Sequence, residues 1–325
     1  MENIKKLTQY FLSKSKEFNL EVTKLSWPEI YLPGYFDYQA KISLNNQIFI
    51  GRGTAENEEK AFIKSCVEAL ERFVFYSSGS SWAIAGHGKP ESAEQNSYAE
   101  LTGIDKVLCH HFTKTQTKPF LWETMSSDFP AKQLSKMLNL GKILLKTYEL
   151  TPNQDLKIII AVAHQPFPKN IKGFIAGFGA HSSIESAAVH AIIECIRNVV
   201  VIFKEKISPP DKEFIRSPEN PRWHFWKAQG EAALTHFKTY LEPNGTESIR
   251  LKPEPISIKD VSFTELDGIK RIFPDIPLVF MQANSDKLLT PQFGEFHPDE
   301  KTMKRLETFN GGPVRIDASV PHFYG

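Results

Sequence analysis

The stretch SCVEALER, residues 65–72, places Ser65, Glu68, Glu71 and Arg72 at i, i+3, i+6 and i+7. On an α-helix that spacing puts all four on one face over two turns. Two carboxylates so close repel unless a cation sits between them. Mg²⁺ is suited to that place, because it prefers oxygen ligands and is typically held by one or two carboxylates together with substrate phosphates. Arg72 would then pair with a phosphate or hold one carboxylate in place. The same residues also describe a solvated stripe, with Lys64 and Glu68 paired at i, i+4 and with Glu71 and Arg72 facing water.

Other chemistry in the chain is less specific. GRGTAE and GFGAHS each read as a Gly-x-Gly between a strand and a helix, where free N–H groups could receive an anion or where the glycines simply turn the chain. Neither has the third glycine of a dinucleotide fingerprint or the Gly-Lys-Ser/Thr of a P-loop. Cys109, His110 and His111 invite a zinc reading, but no second pair at ligand spacing accompanies them. Cys66 and Cys195 fall among apolar helical positions, which suits buried inert thiols better than nucleophiles.

The elements that must position these residues follow from periodicity. FDYQAKISLNNQIFIGRGTA alternates as two strands around an Asn45-Asn46 turn, and ENEEKAFIKSCVEALERFVFY follows as a helix with apolar positions at three- and four-residue spacing. Residues 77–100, rich in Gly, Ser and small side chains, read as a long loop. ILLKTYEL and LKIIIAVA read as strands, and GFIAGFGAHSSIESAAVHAIIECIRNVVVIF again reads as strand, Gly-x-Gly and helix. The two units align at an offset of 126: Gly51, Gly53, Glu59, Ala61 and Glu68 recur as Gly177, Gly179, Glu185, Ala187 and Glu194. Glu71 and Arg72 correspond to Arg197 and Asn198.

The 325 residues, 41% hydrophobic and 24% charged, are ordinary globular composition, and the net charge of +1 offers no global footprint for nucleic acid or an anionic membrane. Three scattered cysteines argue against a disulfide framework, and the longest apolar runs are too short to span a bilayer. One cytoplasmic α+β domain over residues 1–325 is expected, with a split near 140 as the alternative. Trp223, Phe225 and Trp226 mark an aromatic cluster suited to core packing or an interface.

GRGTAENEEKAFIKSCVEALERFVF resembles the first nucleotide-binding segment of the YcaO proteins, and SCVEALER fits that family's Ser-x-x-Glu-x-x-Glu-Arg pattern at all four specified positions. SKEFNLEVTKLSW, and YELTPNQDLKIIIAVA leading into GFGAHSSIESAAVHAIIECIR, are similar to the family in order and character; SPENPRWHFW and VPHFYG are fainter echoes. The resemblance implies an α+β fold of mixed sheets and packed helices with internal pseudo-symmetry. It also implies ATP and Mg²⁺ as cofactors, with Ser65, Glu68, Glu71, Arg72, His190, Glu194 and Arg197 around the nucleotide and Glu68, Glu71 and Glu194 on the metal. The implied reaction is O-phosphorylation of a peptide backbone amide after a nucleophile attacks it, giving an azoline ring or a thioamide in a ribosomally made peptide or protein. A partner that binds a leader peptide or delivers sulfur, and a homodimer, are the associations expected. Two departures accompany the match: no second Glu-x-x-Glu-Arg helix is found between 77 and 170, and His190 and Arg197 stand where the family typically has Arg and Gln. They motivate the alternative of a degenerate, non-hydrolysing module that binds a substrate peptide or a catalytic partner.

Overall fold

The computed structural model describes residues 2–79, 83–126, 128–165, 173–205, 228, 230–242, 250–291, 296–317 and 322. In chain order the elements begin with α1 (Glu2–Ser13), β1 (Glu21–Leu25), α2 (Trp27–Tyr31), β2 (Phe36–Leu44), β3 (Gln47–Ala55), α3 (Glu58–Ser78), β4 (Ile84–His87) and α4 (Pro90–Thr113). They continue with β5 (Lys118–Phe120), α5 (Ala131–Leu140), β6 (Leu144–Glu149), β7 (Lys157–His164), β8 (Phe174–His181) and α6 (Ile184–Glu205). The last are α7 (Glu231–Leu241), β9 (Ser262–Glu265), α8 (Gly268–Ile272), β10 (Val279–Asn284) and α9 (Glu300–Asn310). The fold is α+β. The chain forms two compact units, Met1–Glu100 with Val261–Ser285, and Leu101–Asp260 with Asp286–Gly325.

In the first unit, β1, β2 and β3 form one antiparallel sheet and β4, β10 and β9 another. Asn45 and Asn46 both take positive φ, 51° and 61°, and close the β2–β3 hairpin with Leu44 opposite Gln47. That is the two-residue turn whose twist matches the flanking strands. Asn57 caps α3 by accepting the Lys60 N–H at 2.9 Å, and Gly79 ends it in the left-handed region at φ 61°. The apolar face of α3, including Ile63, Cys66, Leu70, Phe73 and Val74, closes a core with Ala40, Ile42, Phe49 and Phe280. The opposite face of β2 carries Gln39, Lys41 and Ser43, all half-buried.

In the second unit, β5, β6, β7 and β8 form a four-stranded antiparallel sheet. Ile158, Ile160, Val162, Phe174 and Ala176 on one face pack with Phe237, Tyr240 and Leu241 of α7. α6 covers β7 and β8 on the other face. A strand buried on both faces needs a continuous apolar run, which is what KIIIAVAH supplies.

Residues 77–100 are not the long loop that their composition suggested. α3 runs to Ser78, β4 occupies 84–87, and α4 begins at Pro90. Proline suits the first turn of a helix, where its missing N–H has no partner to lose, and the Glu, Ala and Gln that follow are good helix formers. The cluster at Trp223, Phe225 and Trp226 lies outside the described residues. No helix among the described residues is long and apolar enough to cross a membrane.

Candidate functional site

Gly51 and Gly53 lie within β3, and Gly177 and Gly179 within β8, several residues before the helices begin. They are neither helix-start anion cradles nor turns. A Cβ at Gly51 would stand 2.2 Å from the Ser65 main-chain oxygen, and one at Gly53 2.1 Å from that of Ala61. The missing side chains let α3 lie directly on its strand. The second unit repeats this contact for contact at the 126-residue offset: a Cβ at Gly177 would meet the backbone of Ala191 and Cys195, and one at Gly179 that of Ala187 and Ala191. The helix starts match as well. Lys60 N–H reaches Asn57 Oδ1 at 2.9 Å, and Ser186 N–H reaches Ser183 Oγ at 3.5 Å.

The residues between the glycines engage the helix glutamates. Arg52 donates its main-chain N–H to Glu68 Oε2 at 3.0 Å, and Phe178 donates its own to Glu194 Oε2 at 2.8 Å. Glu71 Oε1 accepts the Gly86 N–H at 2.6 Å. Glu68 Oε1 also receives Arg72 Nη2 at 2.9 Å. The four residues of the motif grade from buried to open. Ser65 is buried and donates its hydroxyl to Phe62 O at 2.7 Å, Glu68 and Glu71 are half-buried, and Arg72 is exposed. The carboxylates are therefore neither a fully solvated stripe nor core groups.

Burial pushes the Glu71 carboxyl up to about 8; the Gly86 N–H opposes that rise and the Glu68 carboxylate adds to it. A carboxyl held neutral by lost water and a neighbouring negative charge is a group that a divalent cation would return to its ionised form. Each carboxylate offers about four acceptor directions, so one N–H does not exhaust it as a ligand. The donor chemistry of Glu68 and Glu71 thus fits an oxygen-preferring cation such as Mg²⁺. Among the described residues no group of three or more His, Cys, Asp or Glu side chains could by itself hold a metal ion. In the second unit, Glu194 and Arg197 are half-buried on α6 and His190 is exposed there, its ring 6.0 Å from and perpendicular to that of His181.

The Cys-His-His stretch has another use. His110 Nδ1 lies 2.7 Å from Thr115 O, and its Nε2 accepts the Thr151 N–H at 3.0 Å, so Nδ1 carries the proton and both nitrogens serve main-chain groups. Burial pulls this imidazole down to about 4. Burial also raises all three cysteine thiols, Cys66 to about 12.

Two buried charge networks escaped the sequence reading. Asp37, fully buried, accepts from Trp27 Nε1 at 2.5 Å, Thr54 Oγ1 at 2.7 Å and the Arg52 guanidinium. In the second unit, Arg305 donates through Nε to Asp105 Oδ1 at 2.9 Å and through Nη2 to Glu254 Oε2 at 2.8 Å, while buried Lys106 pairs with Glu254. Burial alone would raise Asp105, but Arg305 and Lys106 hold it below the usual carboxylate range. The available signal was charge at helical positions flanked by apolar residues, as in GIDKVL.

No family model matches the sequence, and no curated protein does. The fold, however, is YcaO-like. It matches a YcaO protein from Methanopyrus kandleri, solved with AMPPCP and Mg²⁺ bound, with a TM-score of 0.60 at 11% identity over 91% of this chain and 96% of the other. A heterocyclase solved in complex with substrate and cofactor matches with a TM-score of 0.66 at 13% identity over 98% of this chain, which spans 57% of the heterocyclase's length.

Proposed function

We propose that this protein uses ATP and Mg²⁺ to activate a backbone amide of a peptide or protein substrate, as an enzyme of the YcaO type. The observation that carries this reading is the Glu68–Glu71 pair on α3, one helical turn apart, both half-buried and each held by a main-chain N–H. The shared fold with a protein solved with AMPPCP and Mg²⁺ supports it. A bound Mg²⁺–nucleotide would supply electrophilic activation and a phosphoryl group. Glu68 and Glu71 would hold the metal, with Ser65 and Arg72 lining the nucleotide on the first unit. On the second unit, the family resemblance assigns Glu194 to metal contact and His190 and Arg197 to nucleotide contact. The substrate hydroxyl, thiol or an external sulfide would be the nucleophile, giving an azoline or a thioamide. The peptide substrate, and a partner that presents its leader or delivers sulfur, belong to this reading.

Calorimetric titration with a nonhydrolysable ATP analogue, with and without Mg²⁺, tests it. Magnesium-dependent binding by the wild type that disappears in Glu68→Gln is the expected result; absence of binding at millimolar nucleotide would exclude it.

A further inference from the structure

Glu68, Glu71 and Glu194 share one feature that spacing does not reveal: each accepts a main-chain N–H from a strand at the edge of its described sheet, β3, β4 and β8 respectively. We propose that these amides, of Arg52 and Gly86 in the first unit and of Phe178 in the second, are positioning groups, each fixing the carboxylate it holds for cation contact within its own unit. The proposal rests on the function proposed above and adds how its ligands are held.

The geometry follows from the register. The β2–β3 hairpin turns at Asn45-Asn46 with Leu44 opposite Gln47, so hydrogen-bonded pairs fall at 44/47, 42/49 and 40/51. Arg52, opposite Gln39, belongs to the alternate set, and its N–H points away from β2 toward α3. Glu68 lies within reach because Gly51 and Gly53 allow the helix to approach the strand. At β4 the close approach is again made by glycine: a Cβ on Gly86 would stand 2.6 Å from the Phe280 ring and 2.9 Å from Val67 Cγ1. A glutamate on a helix surface otherwise samples several rotamers, and an N–H fixed in a sheet selects one of them. The pairing recurs at the 126-residue offset although the donor changes from Arg52 to Phe178. The shared requirement is therefore the main-chain donor, whatever the side chain.

Arg52→Pro and Arg52→Ala separate the amide from the side chain. Both lose the pairing with Asp37, but only proline removes the N–H, and at this edge position no ladder bond to β2 is broken by it. The readout is affinity for a nonhydrolysable ATP analogue with and without Mg²⁺. Arg52→Pro is expected to bind the magnesium complex roughly tenfold more weakly than Arg52→Ala, the order of one hydrogen bond to a charged group, with metal-free nucleotide affinity alike in the two. Should proline not fold, glycolic acid in place of Gly86 deletes the other donor as an ester, and the same selective loss against wild type is expected. Equal magnesium-dependent affinity in the compared proteins, with wild type binding, overturns the positioning role alone. No magnesium-dependent binding by wild type overturns the nucleotide reading and this role together.

Discussion

Among single residues, Glu71 has the most measurable behaviour. Its ordinary value is 4.5, and in the folded protein burial lifts it to about 8. Between those values the folded chain holds a proton that the unfolded chain has released, so stability is greatest below the unfolded value and falls as pH rises through the folded one. Denaturation midpoints of the wild type are expected to decline from about pH 5 to about pH 9 through this group. Glu71→Gln keeps an acceptor for Gly86 but cannot ionise, and its pH profile should lose that part of the decline. A mutant profile parallel to wild type would mean that Glu71 is ionised throughout. The residue types at 68 and 71 were legible in the sequence, and so was the option of a cation between them. Their amide partners were not, because a main-chain donor has no residue identity to read.

At the scale of elements, helix-on-strand contact is the rule in both units, and it depends on glycine. Gly53→Ala and Gly179→Ala would each set a Cβ within 2.2 Å of a main-chain oxygen of the facing helix, and backbone cannot step aside as a flexible side chain can. Each is expected to lose at least about 1–3 kcal/mol by overpacking, seen as a lower urea midpoint at unchanged m-value. A substitution without effect would mean that the helices stand further from their strands. The hairpin and helix α3 were readable from short-range pattern, because turn residues and periodicity act locally. Composition points the segment 77–100 toward a loop because Ser, Ala and Gly dominate it, whereas Pro90 and the packing of Ala93, Tyr98 and Leu101 determine its state.

At the scale of the molecule, each compact unit is assembled from two separated stretches of chain, so long-range contacts decide its integrity. In the second unit, Arg305 on α9 joins Asp105 on α4 and Glu254 across separations of 200 and 51 residues. Removing one partner of a buried ion pair leaves an uncompensated charge, so Arg305→Met is expected to cost about 3–5 kcal/mol, whereas the double variant Asp105→Leu with Arg305→Met should recover much of it. Additive losses in that double-mutant cycle would show that the pair is not coupled.

The sequence alone determined the elements that rest on local physics: the Asn-Asn hairpin, the amphipathic period of α3, the apolar strand run of β7, and a carboxylate pair at helical spacing. It also carried the resemblance that the YcaO-like fold bears out. Tertiary structure decided what those carboxylates touch, that the glycines admit helices rather than anions, and that Asp105, Lys106, Glu254 and Arg305 neutralise one another in the interior. The physical reason is range: turns, caps and periodicity are set by neighbours within a few residues. Desolvation and hydrogen-bond partnership depend on groups that only the folded chain brings together.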